Sequence, residues 1–256
     1  MFTFTQAALD GYIAQFFFPF LRIMAMMAVV PVLGNRAIPA RVKIALAVLI
    51  TITSAPLLPE QQYSAPVDSY LGYATIGREI LIGAAMGFTV RLIFAAIEMG
   101  GEIAGLQMGL SFAGYIDPSS GSNNTSVSSY FGIMAVLLFL SINGHLLLIS
   151  GVVNSFQYIP VGTGADLLGI SKNITQMGAK IFSVALSISL PIIVTLLVVN
   201  IGLGIMSRIA PQLNVFAVGF PISLAVGLCA ILLLLPYMER PLRILLEQST
   251  SMLSRI

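Results

Sequence analysis

Charged side chains inside apolar segments are the residues whose type and position could do chemistry. Arg22 stands midway along the first apolar segment, and Arg78, Glu79 and Arg91 stand within the third. A charge at bilayer depth costs at least about 2.5–3.5 kcal/mol on insertion scales, so such groups usually face protein partners or water. We therefore expect these groups to face protein partners or water rather than lipid.

A second group of charges follows a helical spacing. Arg91, Glu98 and Glu102 are separated by seven and by four residues, so on a continuous helix they share one face. One interpretation is a polar stripe that locks subunits together or lines a conduit. The alternatives are a structural ion pair within the chain and a helix end in the headgroup region.

Enzymatic chemistry has no recognisable motif in this chain. The sequence contains no GxSxG, Walker A, HExxH or dinucleotide-binding fingerprint. His145 has no Cys or carboxylate at ligand spacing, so we expect a hydrogen-bonded structural histidine rather than a metal ligand or proton relay. Cys229 lies in an apolar stretch and is expected to be a small core residue. We expect no enzyme activity, no cofactor and no metal.

The composition points to lipid or protein surroundings. The chain of 256 residues is 57% hydrophobic and only 9% charged, whereas soluble domains carry roughly 25% charged residues. The charges are too few to cover a water-facing surface. The net charge of +2 comes from scattered Lys and Arg residues, which argues against nucleic acid as a partner.

The fold class expected from the pattern is all-α and of the integral-membrane type. A spanning helix needs about 20 mostly apolar residues, and the sequence has six candidates: 12–33, 42–58, 70–97, 131–153, 181–206 and 213–238. The last three contain no charged residue and are predicted to be helices. Pro191, Pro211, Pro221 and Pro236 are expected to kink or end helices there.

The distribution of basic residues fits a simple six-span bundle poorly. Arg36, Arg41 and Lys43 place the first connection in the cytoplasm. With six spans, the third connection would lie in the cytoplasm but is acidic. The C-terminal tail would lie outside but is basic. We therefore expect some segments to be re-entrant or buried in protein rather than in lipid.

Small residues recur every four positions near the end of the third segment. Gly101, Gly105, Gly109 and Ala113 predict close approach between helix backbones. Each glycine also weakens a helix by up to about 1 kcal/mol relative to Ala, so the helix is expected to end in a loop.

That loop, residues 106–122, combines apolar side chains with a flexible backbone and could form a movable seal over a hole. The alternative is a re-entrant turn with a packing role. An exposed Ser- and Asn-rich loop is expected over 119–129. The candidate pore residues are Leu106, Gln107, Met108, Gly109, Leu110, Phe112, Tyr115, Ile116, Asp117 and Pro118.

Four strings in order give the chain a family resemblance. They are PVLG at 31–34 with PARVK at 39–43; GEIAGLQMGLSF at 101–112 leading to DP at 117–118; NGHLLL at 143–148 with SF at 155–156 and Pro160; and APQLNVFAVGFP at 210–221. Together they resemble the FliR/SctT family of type III secretion export-gate proteins over nearly the whole chain. Many relatives carry a Lys shortly after the last proline, where this chain has Ser223.

The resemblance implies a single domain with a FliP-like helical part at 1–180 and a FliQ-like hairpin at 181–256. It implies a gate assembled with FliP and FliQ, wrapped by FlhB and close to FlhA. The gate would lie in the inner membrane within the flagellar basal body and project to the periplasmic side. Residues 106–122 would plug the pore that unfolded flagellar substrates cross. The residues expected to serve assembly are Gly101, Gly105, Arg78, Arg91, Glu98, Glu102, Pro211, Gln212, Asn214, Phe216, Gly219 and Pro221.

Two other functions stay open. An injectisome gate subunit would share the mechanism and differ in partners. A small-molecule or ion transporter would also use intramembrane charges and broken helices, but the sequence has no paired inverted repeat.

Overall fold

The computed structural model describes residues 6–57, 69–110, 125–162, 167–212 and 214–253. Those residues form eight α-helices joined by turns, and no strand occurs among them. The all-α prediction is confirmed. The helices are α1 (Gln6–Val29), α2 (Ala40–Ser54), α3 (Tyr70–Gln107), α4 (Ser126–Ser141), α5 (Gly144–Tyr158), α6 (Leu167–Ile209), α7 (Val215–Leu234) and α8 (Glu239–Leu253).

The first two helices are bounded by prolines. α1 ends two residues before Pro31, and α2 begins directly after Pro39, because proline lacks the N–H that continues a helix but suits its start. Lys43 Nζ in the first turn of α2 donates to the Gly34 carbonyl at 3.0 Å. This bond ties α2 to the turn that precedes it.

α3 is a single helix of 38 residues with a defined start and a defined end. At its start, Ser69 Oγ accepts a hydrogen bond from the Gly72 N–H at 3.0 Å. At its end, Gly109 has a φ of +81°. The Leu110 N–H donates to the Gly105 carbonyl and the Gly109 N–H to the Leu106 carbonyl, both at 3.0 Å. This is the Schellman pattern, in which a left-handed glycine terminates the helix.

The expected helix over 131–153 is in fact two helices. α4 and α5 meet at a bend of 68°, where Asn143 has φ 56° and ψ 33°. Asparagine tolerates this left-handed conformation better than most residues. The prediction of one uninterrupted helix was wrong because the Asn-Gly pair at 143–144 breaks an otherwise apolar run.

Prolines inside the later helices do not end them. α6 continues through Pro191 and α7 through Pro221. One turn after Pro191, the Thr195 Oγ1 hydroxyl donates a hydrogen bond to the Pro191 carbonyl at 2.7 Å. Pro236 lies in a 3-10 turn after α7.

Within the part of the chain that the structure describes, three helices are long and apolar enough to cross a membrane: α3, α6 and α7. The bent pair α4–α5 would count as a fourth if it forms one span. The sequence-based prediction of six spans therefore exceeds the three or four that the described part of the chain can form. α2 has only 15 residues, and α1 has an apolar portion of only Ile13–Val29.

The chain divides into two compact units. One comprises Met1–Leu92, Asn143–Met177 and Leu245–Ile256, and its core includes Ile23, Met26, Ile82 and Phe156. The other comprises Ile93–Ile142 and Gly178–Ile244, and its core includes Phe131, Phe139, Ile192 and Leu196. The division expected at residue 180 rests on likeness to other proteins and stays a prediction.

Candidate functional site

The most elaborate polar cluster lies in the first unit, around Arg22 of α1. Arg22 Nε donates to Glu79 Oε2 at 2.6 Å, and Arg22 Nη2 donates to Glu79 Oε1 at 3.1 Å. Neither side chain is reached by solvent. A bidentate guanidinium–carboxylate pair is among the strongest and most directional hydrogen-bonded contacts in proteins.

The C-terminal end of α5 completes this cluster. Arg22 Nη1 donates to Ser155 Oγ at 3.0 Å, and Nη2 donates to the Ile159 carbonyl at 2.9 Å. The guanidinium carbon lies 4.1 Å from the centre of the Phe156 ring, a distance suited to a cation–π contact. Arg22 therefore connects three helices through contacts that are distant in sequence.

Glycines let the arginine reach its partner. A Cβ on Gly83 of α3 would overlap the Arg22 carbonyl oxygen. A Cβ on Gly87, one turn later, would lie 2.6 Å from the Met26 carbonyl oxygen. Because both glycines face the backbone of α1, the two helices approach closely. The Arg22–Glu79 pair lies at this close crossing.

This cluster is suited to fixing helices rather than to reacting with a substrate. The guanidinium donates four hydrogen bonds, both carboxylate oxygens accept, and Ser155 Oγ donates onward to the Val152 carbonyl at 2.6 Å. Satisfying a buried ion pair this fully offsets much of its desolvation cost.

The sequence-based interpretation underrated these residues. The sequence singles out Arg22 and Glu79 only as charges within apolar segments, and neither these two residues nor Ser155 is among the candidate site residues. The available signal is one cation in the first apolar helix and one anion in the third, where Arg78 stands beside Glu79. What could not be read was that the two helices are neighbours.

The predicted stripe of Arg91, Glu98 and Glu102 does lie on one helix, α3. Arg91 and Glu98 are exposed and Glu102 is half-buried. Glu102 Oε2 accepts hydrogen bonds from the Thr125 N–H at 2.9 Å and from Thr125 Oγ1 at 3.0 Å. Glu102 thus anchors the start of α4, and the subunit-locking role of the stripe stays a prediction. Arg78, also predicted to serve assembly, is half-buried on the same helix.

The start of α4 corrects the loop expected over 119–129. Thr125 is the N-cap of α4, and its Oγ1 accepts from the Ser128 N–H at 3.1 Å. Ser128 Oγ in turn donates to the Glu98 carbonyl at 2.9 Å. Ser and Thr residues that suggested a loop are the capping residues of a helix. Residues 119–124 lie outside the described part.

The small-residue ladder packs α3 against α4 within the chain. A Cβ on Gly101 would lie 2.9 Å from Phe131 Cβ, and a Cβ on Gly105 would lie 2.7 Å from Thr125 Oγ1. Gly109 has a different role, since it ends α3. Ala113 lies outside the described residues.

The described base of the candidate plug is fixed in the second unit. The Met108 side chain is buried, and its Cγ lies 2.6 Å from where a Cβ on Gly227 of α7 would be. Leu106 and Gln107 are exposed at the end of α3, and Leu110 is half-buried in the turn after Gly109. The remaining predicted pore residues lie outside the described residues: Phe112, Tyr115, Ile116, Asp117 and Pro118.

The fourth sequence string forms the turn between α6 and α7. Asn214 is the N-cap of α7, and its Oδ1 accepts from the Ala217 N–H at 3.3 Å. Gly219 is buried, and a Cβ there would lie 3.2 Å from Leu203 Cδ1 of α6. This string therefore makes a helical hairpin. Its other candidate residues are Pro211 and Gln212, both exposed in the turn, Phe216 within α7 and Pro221, exposed on α7.

Two single residues differ from expectation. Cys229 is exposed rather than in the core, because α7 is apolar on every side and composition does not reveal which side is covered. Cys229 lies two residues from buried Gly227, and so on roughly the opposite side of the helix. His145 Nδ1 is buried without a hydrogen-bond partner among the described residues. The prediction of a hydrogen-bonded histidine is therefore wrong for that atom.

Comparison with known proteins gives a consistent result. Residues 13–249 match the family model described as Bacterial export proteins, family 1. The chain is 43% identical over 236 residues to the flagellar biosynthetic protein FliR of Pectobacterium carotovorum subsp. carotovorum, covering 92% of this chain and 90% of that one. It is 41% identical to the FliR of Escherichia coli strain K12 (88% and 86% covered). It is 33% identical to that of Bacillus subtilis strain 168 (83% and 82% covered).

Proposed function

Since the chain belongs to the bacterial export proteins, family 1, we propose that it is a subunit of the flagellar type III protein export gate. In this role it forms part of a protein-conducting pore and supplies the segment that plugs it. It is a membrane protein of the flagellar apparatus and acts by assembly rather than by catalysis. Its substrates are unfolded flagellar proteins that cross once the plug moves.

The observation that carries the proposal is the uncovered surface of two of the three described helices of membrane-spanning length, α6 and α7. Only 28% of the most apolar stretch of α6 and of α7 is buried, against 56% for α3. On α6 the exposed large side chains include Phe182, Leu186, Leu190 and Val194, spaced by four residues along one side. A face of this kind needs lipid or other subunits to cover it.

The partners proposed are FliP and FliQ within the gate, with FlhB around it and FlhA nearby. We propose that the first 180 residues form the FliP-like part and that 181–256 supply the FliQ-like hairpin. The α6–α7 hairpin, with its cap at Asn214 and close contact at Gly219, supports the second of these assignments. We also propose that the assembled gate projects toward the periplasm.

The plug is proposed to be residues 106–122. Support comes from its described base, where α3 ends abruptly at Gly109 and Met108 is held over Gly227. A rigid helix that stops at a fixed point gives the following segment a defined origin. The relatives are named flagellar biosynthetic proteins, which favours the flagellar gate over an injectisome gate.

Co-purification tests the proposal. The chain, expressed with FliP and FliQ and purified by a tag on one of them, is expected to elute in one stable particle. A chain that instead purifies as a stable single species and carries a solute into vesicles unaided would be a transporter. Restoration of motility in cells that lack their own FliR provides the second measurement.

A further inference from the structure

The helix α2 reverses the side-chain distribution of a helix in a soluble protein, which turns its apolar side toward the core. The side that faces the protein holds small or polar residues, Ala47, Thr51 and Ser54, together with Ile50. Thr51 Oγ1 donates to the Ala47 carbonyl at 2.7 Å, and Ser54 Oγ donates to the Thr51 carbonyl at 3.1 Å. The hydroxyl groups of Thr51 and Ser54 are thus satisfied inside the helix and need no water.

The opposite side of α2 is aliphatic and uncovered within the described part of the chain. Leu49 is 60% exposed. The exposed aliphatic side chains are Val42, Ile44, Leu46, Val48, Leu49 and Ile52. The exposed positions of α2 hold no aromatic residue and no Met, types that are enriched in the cores of protein–protein interfaces, and their one arginine, Arg41, lies in the first turn. This composition favours lipid over a protein partner.

The dimensions of the aliphatic face fit half a bilayer. From Val42 to Ile52 a helix rises about 15 Å at ~1.5 Å per residue. The hydrocarbon core of a bilayer is about 30 Å thick, so one leaflet accounts for about 15 Å. α2 is too short to cross both leaflets but matches one of them.

Unpaired cations lie at one end of this face. Arg36 and Arg41 are exposed and have no acidic partner among the described residues. The sequence contains no Asp or Glu between Asp10 and Glu60. Arg41 also lies in the first turn of α2, where the helix dipole disfavours a positive charge. An anion from outside the chain would offset that cost.

We propose that α2 anchors the chain in one bilayer leaflet. Its aliphatic face enters that leaflet, and Arg36 and Arg41 bind the phosphates of anionic lipid headgroups. Basic residues near a membrane favour the cytoplasmic side, where anionic lipids attract them. The anchor does not depend on the export function proposed above. It holds the start of the chain at a fixed depth in the bilayer.

A tryptophan probe tests the insertion. The chain has no Trp, so Leu49→Trp introduces a single indole on the aliphatic face, and Phe139→Trp introduces one at a fully buried position. Each full chain, in the assembly in which it is purified, is placed in vesicles of phosphatidylcholine brominated in its acyl chains. Loss of most of the emission at position 49 but not at 139 is expected. An unquenched indole at position 49 would show that lipid does not contact the face and would overturn the anchor.

A titration tests the headgroup site. In neutral detergent, added phosphatidylglycerol is expected to raise the melting temperature of the purified protein, whereas phosphatidylcholine and inorganic phosphate are not. The Arg36→Gln/Arg41→Gln variant is expected to need about 30-fold more phosphatidylglycerol, at about fivefold per arginine near an anionic surface. The Lys172→Gln/Arg208→Gln variant loses the same charge from exposed positions elsewhere and is expected to titrate like the parent. Equal responses of the two variants, or a response to free phosphate, would overturn the site.

Discussion

Arg22 and Glu79 are 57 residues apart in sequence and form a bidentate ion pair that solvent does not reach. The pair joins α1 to α3, and Ser155 and the Ile159 carbonyl extend it to α5. All three guanidinium nitrogens of Arg22 and both carboxylate oxygens of Glu79 form hydrogen bonds. We expect the arrangement of these three helices to depend on this pair.

Removing one partner of this pair should be far worse than removing both. Glu79→Leu leaves a buried guanidinium without its counter-ion and is expected to cost about 3–5 kcal/mol. Arg22→Met/Glu79→Leu removes both charges and is expected to recover most of that loss. The measurement is thermal stability of the full chain in detergent, together with its abundance in membranes. A double variant no more stable than the single variant would contradict the pairing.

The close crossing of α1 and α3 gives a matched pair of glycine substitutions. Gly83→Ala places a Cβ against the Arg22 carbonyl oxygen and is expected to destabilise the chain by about 1–3 kcal/mol. Gly77→Ala lies on the same helix with nothing within 4 Å of the new Cβ. It is expected to stabilise by up to about 1 kcal/mol through helix propensity. Equal melting temperatures for the two variants would show that α1 and α3 do not approach closely at Gly83.

Gly105→Leu should abolish secretion and motility. The new side chain would displace Thr125, whose Oγ1 lies 2.7 Å from the ideal Cβ, and would separate α4 from α3. Swimming in soft agar by cells that carry only this variant measures the effect. Gly77→Leu, on the same helix with nothing within 4 Å of its Cβ in this chain, is the control. Normal swimming with Gly105→Leu would disprove the packing role.

The cap of α4 makes a smaller, local prediction. Thr125→Val removes the acceptor for the Ser128 N–H and is expected to cost the helix start about 0.5–2 kcal/mol. Glu102→Gln keeps an oxygen that can accept from Thr125 and is expected to have less effect than Glu102→Ala. Hydrogen exchange of the first turn of α4 is the readout. Unchanged protection in Thr125→Val would exclude the cap.

Shortening residues 106–122 should make the membrane leak ions. The deletion removes the proposed plug while leaving α3 and its terminating Gly109 in place if it starts after Leu110. Ion conductance across membranes that contain the assembled particle is the measurement, with particle integrity checked by its size. A deletion variant that assembles and does not conduct would rule out the plug.

The sequence by itself determined the class of this protein. Composition excluded a soluble domain, since 9% charged residues cannot cover a water-facing surface. The four strings identified the family, because their order and spacing are specific. The helical run of α3 and its end near Gly109 were also readable, since glycine spacing and turn chemistry are local properties.

Only the tertiary structure decided which residues meet. Glu79 could not be assigned to Arg22, nor Glu102 to Thr125, because a charge pattern along one helix does not name the neighbouring helix. Apolar helices such as α7 look alike on all sides, so the exposure of Cys229 and the burial of Gly227 depended on packing. The bend at Asn143 likewise depended on one left-handed residue that a hydropathy window averages away.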